Sequence, residues 1–317
     1  MMRNRRFRLA ILSLAWLVLG NCLIAMMPGF AGEKRTDTVL LGKLKTTIKD
    51  FEGDVGIYVY HIPSGREAAI NADSLFPTAS MIKVPILLQL FDRLEKGELS
   101  YRDEVVYKDS LYYPGADILG SFKDGEKIVL SKVVMLMITT SDNTASLWCQ
   151  RMAGGGEAIN QFLVENGFSG TRVNSRTPGR KEAWKKYGWG QTTPAEMATL
   201  LLQIREGTIV SRAASEEMYR VLCNIYWNGE ALSQIPPWVQ AASKQGAVSQ
   251  SRSEVVLVNA PSGDYVFSLI TKNQKDTSWE HDNTGYVLLR TVSRLLWEYF
   301  EPDSRWEPAL DMSKWTK

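Results

Sequence analysis

The sequence predicts an α/β plus all-α fold: an antiparallel sheet flanked by helices, with an all-helical domain inserted between its two halves. Two observations predict it. β-Type residues with period-2 patterning occur near both ends of the chain, at Val55–His61 and again at Val255–Asn259 and Tyr265–Thr271. Between them lie helical segments, two of them apolar on nearly every face. The reading gives an α/β domain over 36–75 and 225–300, an all-α domain over 76–224 and a tail over 301–317. A chain of 317 residues, 44% hydrophobic, is long enough to bury such a core.

The elements follow in order. Arg3, Arg5, Arg6 and Arg8 precede an apolar run from Leu9 to Met27, and Gly29-Phe30-Ala31 closes it as a small-x-small site, so 1–31 reads as a signal peptide. The run is nearly long enough to span a bilayer, which leaves a retained anchor as the other reading, the only membrane attachment expected. The protein is therefore expected to be exported, to the periplasm or the extracellular space. Thr36–Asp50 reads as a helix, followed by strand Val55–His61, a Pro-Ser-Gly turn and a short strand at Ala68–Ile70.

From Ser80 the pattern is helical and apolar all round, with Pro85 close enough to the start to be tolerated. Further helices are predicted over Ser131–Thr140, from Thr144 to the Gly154-Gly155-Gly156 stop, and over Gly156–Gly167. After a long polar segment, Thr193-Pro194-Ala195-Glu196 combines an N-cap, Pro at the first helical position and Glu at the third, starting a helix through about Arg205. Strand Ala241–Gly246, the two strands above and a final helix over Asn283–Phe300 complete the chain.

Composition narrows function. The net charge of +2 rests on the leader: without its four arginines the chain has 33 basic and 35 acidic residues, a net of −2. No nucleic-acid partner is implied. Outside the leader only Cys149 and Cys223 remain, open to one disulfide or two free thiols. Neither histidine completes a triad; His61 ends a strand and His281 precedes the last helix. Nothing calls for a metal or other cofactor, and a monomer is expected.

Three short motifs carry the chemistry. Ser80-Met81-Ile82-Lys83, Ser141-Asp142-Asn143 and Lys244-Gln245-Gly246 follow the S-x-x-K, S-D-N, K-T-G order of penicillin-recognising serine enzymes, with Gln245 replacing a hydroxyl residue. Each motif alone is weak. The ordered set, with gaps of 61 and 103 residues, is strong. Ser80 and Lys83 are one helical turn apart, so a lysine of lowered pKa can take the serine proton. Ser141 can relay a proton to a departing nitrogen, and Asn143 can hold Lys83 and a substrate amide. The Lys244 ammonium would face Ser141 and a substrate carboxylate. The N–H groups of Ser80 and Ala247 would stabilise an oxyanion.

From Thr36 to Phe300 the chain resembles the class A β-lactamase family, through Phe76–Pro85, Ser141–Ala145 and Thr192–Ala198. The resemblance implies that family's fold and assigns Ser80 as nucleophile, Lys83 as base, Ser141 to proton transfer, Asn143 to positioning and Lys244 to electrostatics. It implies substrate contacts at Gln245, Gly246, Ala247 and Arg252. The expected substrate is a β-lactam or a peptidoglycan-like small molecule. The departures lie in one loop. The family's deacylating glutamate falls on Thr177 and its water-sharing asparagine on Lys181. The Arg and Asp pinning that loop fall on Ser175 and Gly190. Glu182 is left as an alternative carboxylate. The family's distal arginine position holds Ser253, one beyond Arg252. Acylation at Ser80 with weak or remodelled deacylation is the expected activity. A D-amino-acid peptidase or esterase acting on cell-wall peptides, or a silent wall-binding protein, are the other readings. Arg172, Arg176, Arg180, Lys181, Lys185 and Lys186 gather in the same loop, either as a solvated surface or as a basic rim for an anionic substrate.

Overall fold

The computed structural model describes residues 34–115 and 118–309, so the leader reading and Trp315 of the tail lie outside the described residues. Its sheet is built from β1 (Arg35–Thr36), β2 (Asp54–His61), β3 (Arg66–Ile70), β4 (Ala241–Val248), β5 (Ser251–Val258) and β6 (Tyr265–Lys272). The strand order is β1-β3-β2-β6-β5-β4. Every pairing is antiparallel except that of the two-residue edge strand β1, which runs parallel to β3 and thereby departs from the expected sheet. β4 forms the opposite edge.

Alternation along the strands sends side chains to two cores. One face, with Val256, Val258, Phe267 and Leu269, packs against Leu40 and Leu44 of α1 (Thr38–Ile48) and Leu296 and Trp297 of α9 (Thr284–Phe300). The other face, with Val255, Leu257, Val266 and Ile270, meets the helical part of the molecule. At the centre of that part lies α2 (Lys83–Glu95), in which every residue from Lys83 to Phe91 is buried. This is what its all-round apolar sequence requires. Each fully buried Leu or Ile there contributes roughly 1.5–3 kcal/mol of transfer free energy. Pro85, the third residue of α2, costs no intrahelical hydrogen bond there.

Around α2 stand α3 (Leu130–Thr139), α4 (Asn143–Met152), α5 (Gly155–Glu165), α6 (Lys181–Tyr187), α7 (Pro194–Glu206) and α8 (Arg212–Leu222). The start of α7 is capped as predicted, Thr193 accepting from the Glu196 N–H. The Glu196 carboxylate, however, does not return to Thr193. It accepts the backbone N–H groups of Ser169, Gly170 and Thr171, and so ties the preceding loop to the helix. α6 and α8 lie where no helix was predicted. α8 carries a readable signal: Ser211 caps it, and Ala214, Met218 and Leu222 form its buried stripe. The cysteines, left open above, are both free.

Candidate active site

The site forms where α2, α4 and the edge strand β4 converge. Ser80 lies in a short 3-10 turn (Ala79–Ile82) just ahead of α2, rather than opening the α-helix itself. Ala79 has φ of 43° and Ser141 φ of 61°, left-handed values that a non-glycine residue adopts only when its surroundings impose them. The two strained residues adjoin or belong to the predicted proton-transfer set.

Lys83, the first residue of α2, is fully buried. Its Nζ lies 3.1 Å from Ser80 Oγ, 3.0 Å from Ser141 Oγ, 2.5 Å from Ser141 O and 3.0 Å from Asn143 Oδ1. Burial holds its pKa well below the ordinary lysine value; the nearby Lys244 charge lowers it further, and Asp142 opposes. The Ser141 carbonyl and Asn143 Oδ1 can only accept. A neutral amine meets both with its two N–H bonds and keeps a lone pair for a serine hydroxyl.

Asp142 builds this cluster without joining it. Fully buried, it caps α4 by accepting the Ala145 N–H, while Oδ2 accepts the N–H groups of Ile118 and Leu119 (2.9 Å for Leu119). It thereby locks Ser141 and Asn143 on either side of itself. From outside, Trp227 Nε1 donates to Thr140 O (2.7 Å) and Tyr226 N to Thr139 O (3.0 Å), satisfying carbonyls at the end of α3. No local motif announced Trp227, which reaches across 87 positions.

β4 supplies the other wall. Gly246 is there because nothing larger fits: a Cβ would stand 2.5 Å from Thr78 O and 2.8 Å from Ser253 Oγ. That close approach brings the Ala247 strand against the Ser80 turn. Lys244 is buried, its pKa lowered to about 7 by desolvation against the opposing pull of Glu254. Its hydrogen bonds go to Gln245 O (3.2 Å) and Gln245 Oε1 (2.8 Å). Gln245 thus puts an amide where a hydroxyl was expected, and uses it to hold the lysine.

The substrate-contact expectation for Arg252 is not met. Arg252 pairs with Ala247 and Ser253 with Gly246, so alternation turns Arg252 away from the face carrying Lys244 and Gly246. Its buried guanidinium donates to Val248 O, Ser251 O and Ser278 O between the rings of Trp279 and Tyr286, at 4.5 and 4.6 Å. His61 is structural too, bonded to Ser64 and stacked on Phe300.

The loop between α5 and α7 carries no carboxylate aimed at the site. Thr177 Oγ1 donates to Ser175 O (3.0 Å), and its side chain packs so tightly on Gly156 that a Cβ there would meet Oγ1 at 1.8 Å. Glu182 is 81% exposed and paired with Lys185 (2.8 Å), so its charge is spent in solvent. The neck of the loop is pinned by new means. Ser175 exchanges hydrogen bonds with Gln150, Asn174 N and Ser175 N donate to Trp189 O, and Arg180 bridges Asn174 Oδ1 and Gln191 Oε1. Against the loop lies an open pocket of about 690 Å³, with Tyr113, Leu147, Trp184 and Trp189 among its walls.

A serine bonded to a buried, pKa-lowered lysine on this fold defines an active-site serine hydrolase. Comparison with known proteins carries this further. The model of the β-lactamase enzyme family matches residues 40–300, and the chain belongs to that family. The β-lactamase VEB-1 of Pseudomonas aeruginosa is 21% identical over 278 residues, 84% of this chain and 91% of that protein. The structure of PBP-A superposes with a TM-score of 0.77 at 27% identity, covering 86% of this chain and 99% of that one. A variant of PBP-A, solved as its acyl-enzyme complex with penicillin G, gives 0.76 at 27% identity over 85% and 98%. The β-lactamase of Sphaerobacter thermophilus gives 0.73 at 21% identity over 84% and 97%.

Proposed function

We propose that this serine hydrolase is acylated at Ser80 by β-lactams or related amides of cell-wall peptides, and that it releases the acyl group slowly. The observation that carries the reading is Lys83: buried, held below its usual pKa and within hydrogen-bond reach of Ser80 Oγ. Lys83 takes the Ser80 proton as Oγ attacks the carbonyl carbon, and the N–H groups of Ser80 and Ala247 face the oxyanion. Ser141 Oγ, 3.0 Å from Lys83 Nζ, hands its proton to the departing nitrogen and takes up the one Lys83 gained, the C–N bond breaks, and an ester on Ser80 remains. Hydrolysing that ester requires a base for water. Thr177 offers only a hydroxyl turned to Ser175, and Glu182 is in solvent. The penicillin G acyl-enzyme solved for PBP-A supports an ester of this kind. A pre-set Ser–Lys pair argues against a silent wall-binding role. The arginine-flanked apolar leader supports export, and a mature amino terminus at residue 32 would accord with it.

Incubation with a fluorescent penicillin, digestion and mass spectrometry tests the acylation. The penicilloyl mass is expected on the peptide containing Ser80 and absent from Ser80→Ala. No adduct with several penicillins and cephalosporins would sink the reading.

A further inference from the structure

We propose that Gln245 is a specificity-determining residue: its side chain closes Lys244 to a substrate carboxylate, and the leaving side of the site takes a neutral carbonyl instead. A chain that continues past the broken bond as an amide or ester supplies such a group. The inference rests on the reading of Ser80 as the acylated residue and names the leaving groups that suit it.

The position of Gln245 comes first. β4 is an edge strand, so its outer side is open to a bound chain. Gln245 precedes Gly246, whose backbone approaches the Ser80 turn so closely that a Cβ would stand 3.0 Å from Ala79 Cβ. A bond broken at Ser80 is thus broken beside Gln245.

Lys244, by contrast, has no exposed surface. A carboxylate oxygen is as large as a water molecule, so it cannot touch the lysine unless the side chain bonded to it moves. Lys244 Nζ donates to Gln245 O at 3.2 Å and to Gln245 Oε1 at 2.8 Å. The second bond fixes the orientation of the amide, because only its oxygen accepts. Its Nε2 is left without a partner among the described residues, on a side chain that is half-buried. The wall therefore offers a neutral donor where the lysine alone would offer a charge.

The surrounding charges favour a neutral partner as well. β4 and β5 carry two cations, Lys244 and Arg252, and one acid, Glu254. Arg252 is closed between Trp279 and Tyr286 on the other face. Glu254 pairs in register with Gln245 and is buried there, so its ionisation brings negative charge to this part of the strand. Burial lowers the Lys244 pKa to about 7, so its positive charge fades above neutral pH. A carboxylate moved from water onto one neutral donor loses hydration that no ion replaces. A neutral carbonyl gives up less and gains a full hydrogen bond.

Acylation by benzylpenicillin and by its carboxamide isolates the leaving-side group, because both compounds carry the same ring to Ser80. Their second-order constants are read at about pH 8 by competition with a fluorescent penicillin. In the parent the carboxylate is expected to give an advantage below about 3-fold. Gln245→Thr removes the amide and opens Lys244; it should raise that advantage at least about 10-fold, and Gln245→Ser should do the same. The change in ratio between proteins is free of any difference in ring reactivity, and a general loss of stability would slow both compounds alike. An advantage above about 3-fold in the parent, or a ratio that neither variant raises, would overturn the proposal and leave the acylation reading intact. Labelling of Ser80 by neither compound would overturn both.

Discussion

Gly246→Ala tests how closely the fold holds its two catalytic walls together. The new Cβ would lie 2.5 Å from Thr78 O, 2.8 Å from Ser253 Oγ and 3.0 Å from Ala79 Cβ. Thr78 O is backbone, and its neighbour Ala79 is already at φ of 43°, so no flexible side-chain end can absorb the contact. Restoring an ordinary separation moves β4 and the Ser80 turn apart by close to 1 Å. Overpacking of this kind costs about 1–3 kcal/mol, and a misplacement of about 1 Å at a reacting centre costs on the order of 100-fold in rate. The expected outcome is a melting temperature lowered by roughly 2–6 °C and a second-order acylation constant lowered roughly 100-fold. Stopped-flow fluorescence with a reporter penicillin and a thermal melt measure both. Acylation within about 3-fold of the parent, with an unshifted melt, would refute the claim that this glycine sets the spacing between the Ser80 turn and Ala247.

Other expectations follow from single contacts. Lys83→Met should slow acylation by about 10²–10⁴, and in the parent the rate should rise with pH through a pKa well below 10.5, since the neutral amine is the base. An alkaline limb at the ordinary lysine value would contradict this. Trp227→Phe leaves Thr140 O without its donor, at a cost of about 1–2 kcal/mol in urea denaturation, and should slow acylation because Ser141 is the next residue. Unchanged stability and rate would show that the bond does not position Ser141. Glu254, buried and accepting from Ser243 Oγ and Ala231 N, has its pKa raised from 4.5 to about 7 by desolvation. Its stabilising contribution is fully present below pH 4.5 and is lost as pH rises through 7, about 3 kcal/mol in all. Glu254→Gln should flatten the stability profile between pH 5 and pH 8; a profile as steep as the parent's would assign the slope to other groups.

What could be read in advance follows the range of the interactions involved. α2 was legible because a helix buried on every side must be apolar on every side, and the α7 cap because its partners are three residues apart. Ser80 and Lys83 were legible for the same reason. α6 was not: its seven residues carry no apolar stripe, so only its loop context makes it helical. Arg252 was misjudged on distance along the chain, whereas strand parity decides which face it serves. The bonds of Lys244 to Gln245, the seat of Thr177 on Gly156 and the reach of Trp227 to Thr140 depend on packing between distant segments. Residue order carries no local mark of them. The missing loop carboxylate was visible from the sequence, but the pocket lined by Thr177, Lys181 and Trp184 was not.

Formation and breakdown of the Ser80 ester are read together by loading the protein with penicillin, removing the excess and following the intact mass against time. A penicilloyl adduct on Ser80 should form and decay far more slowly than about 10 s⁻¹, a median enzyme turnover. Turnover above that rate, or no adduct on Ser80, would contradict it.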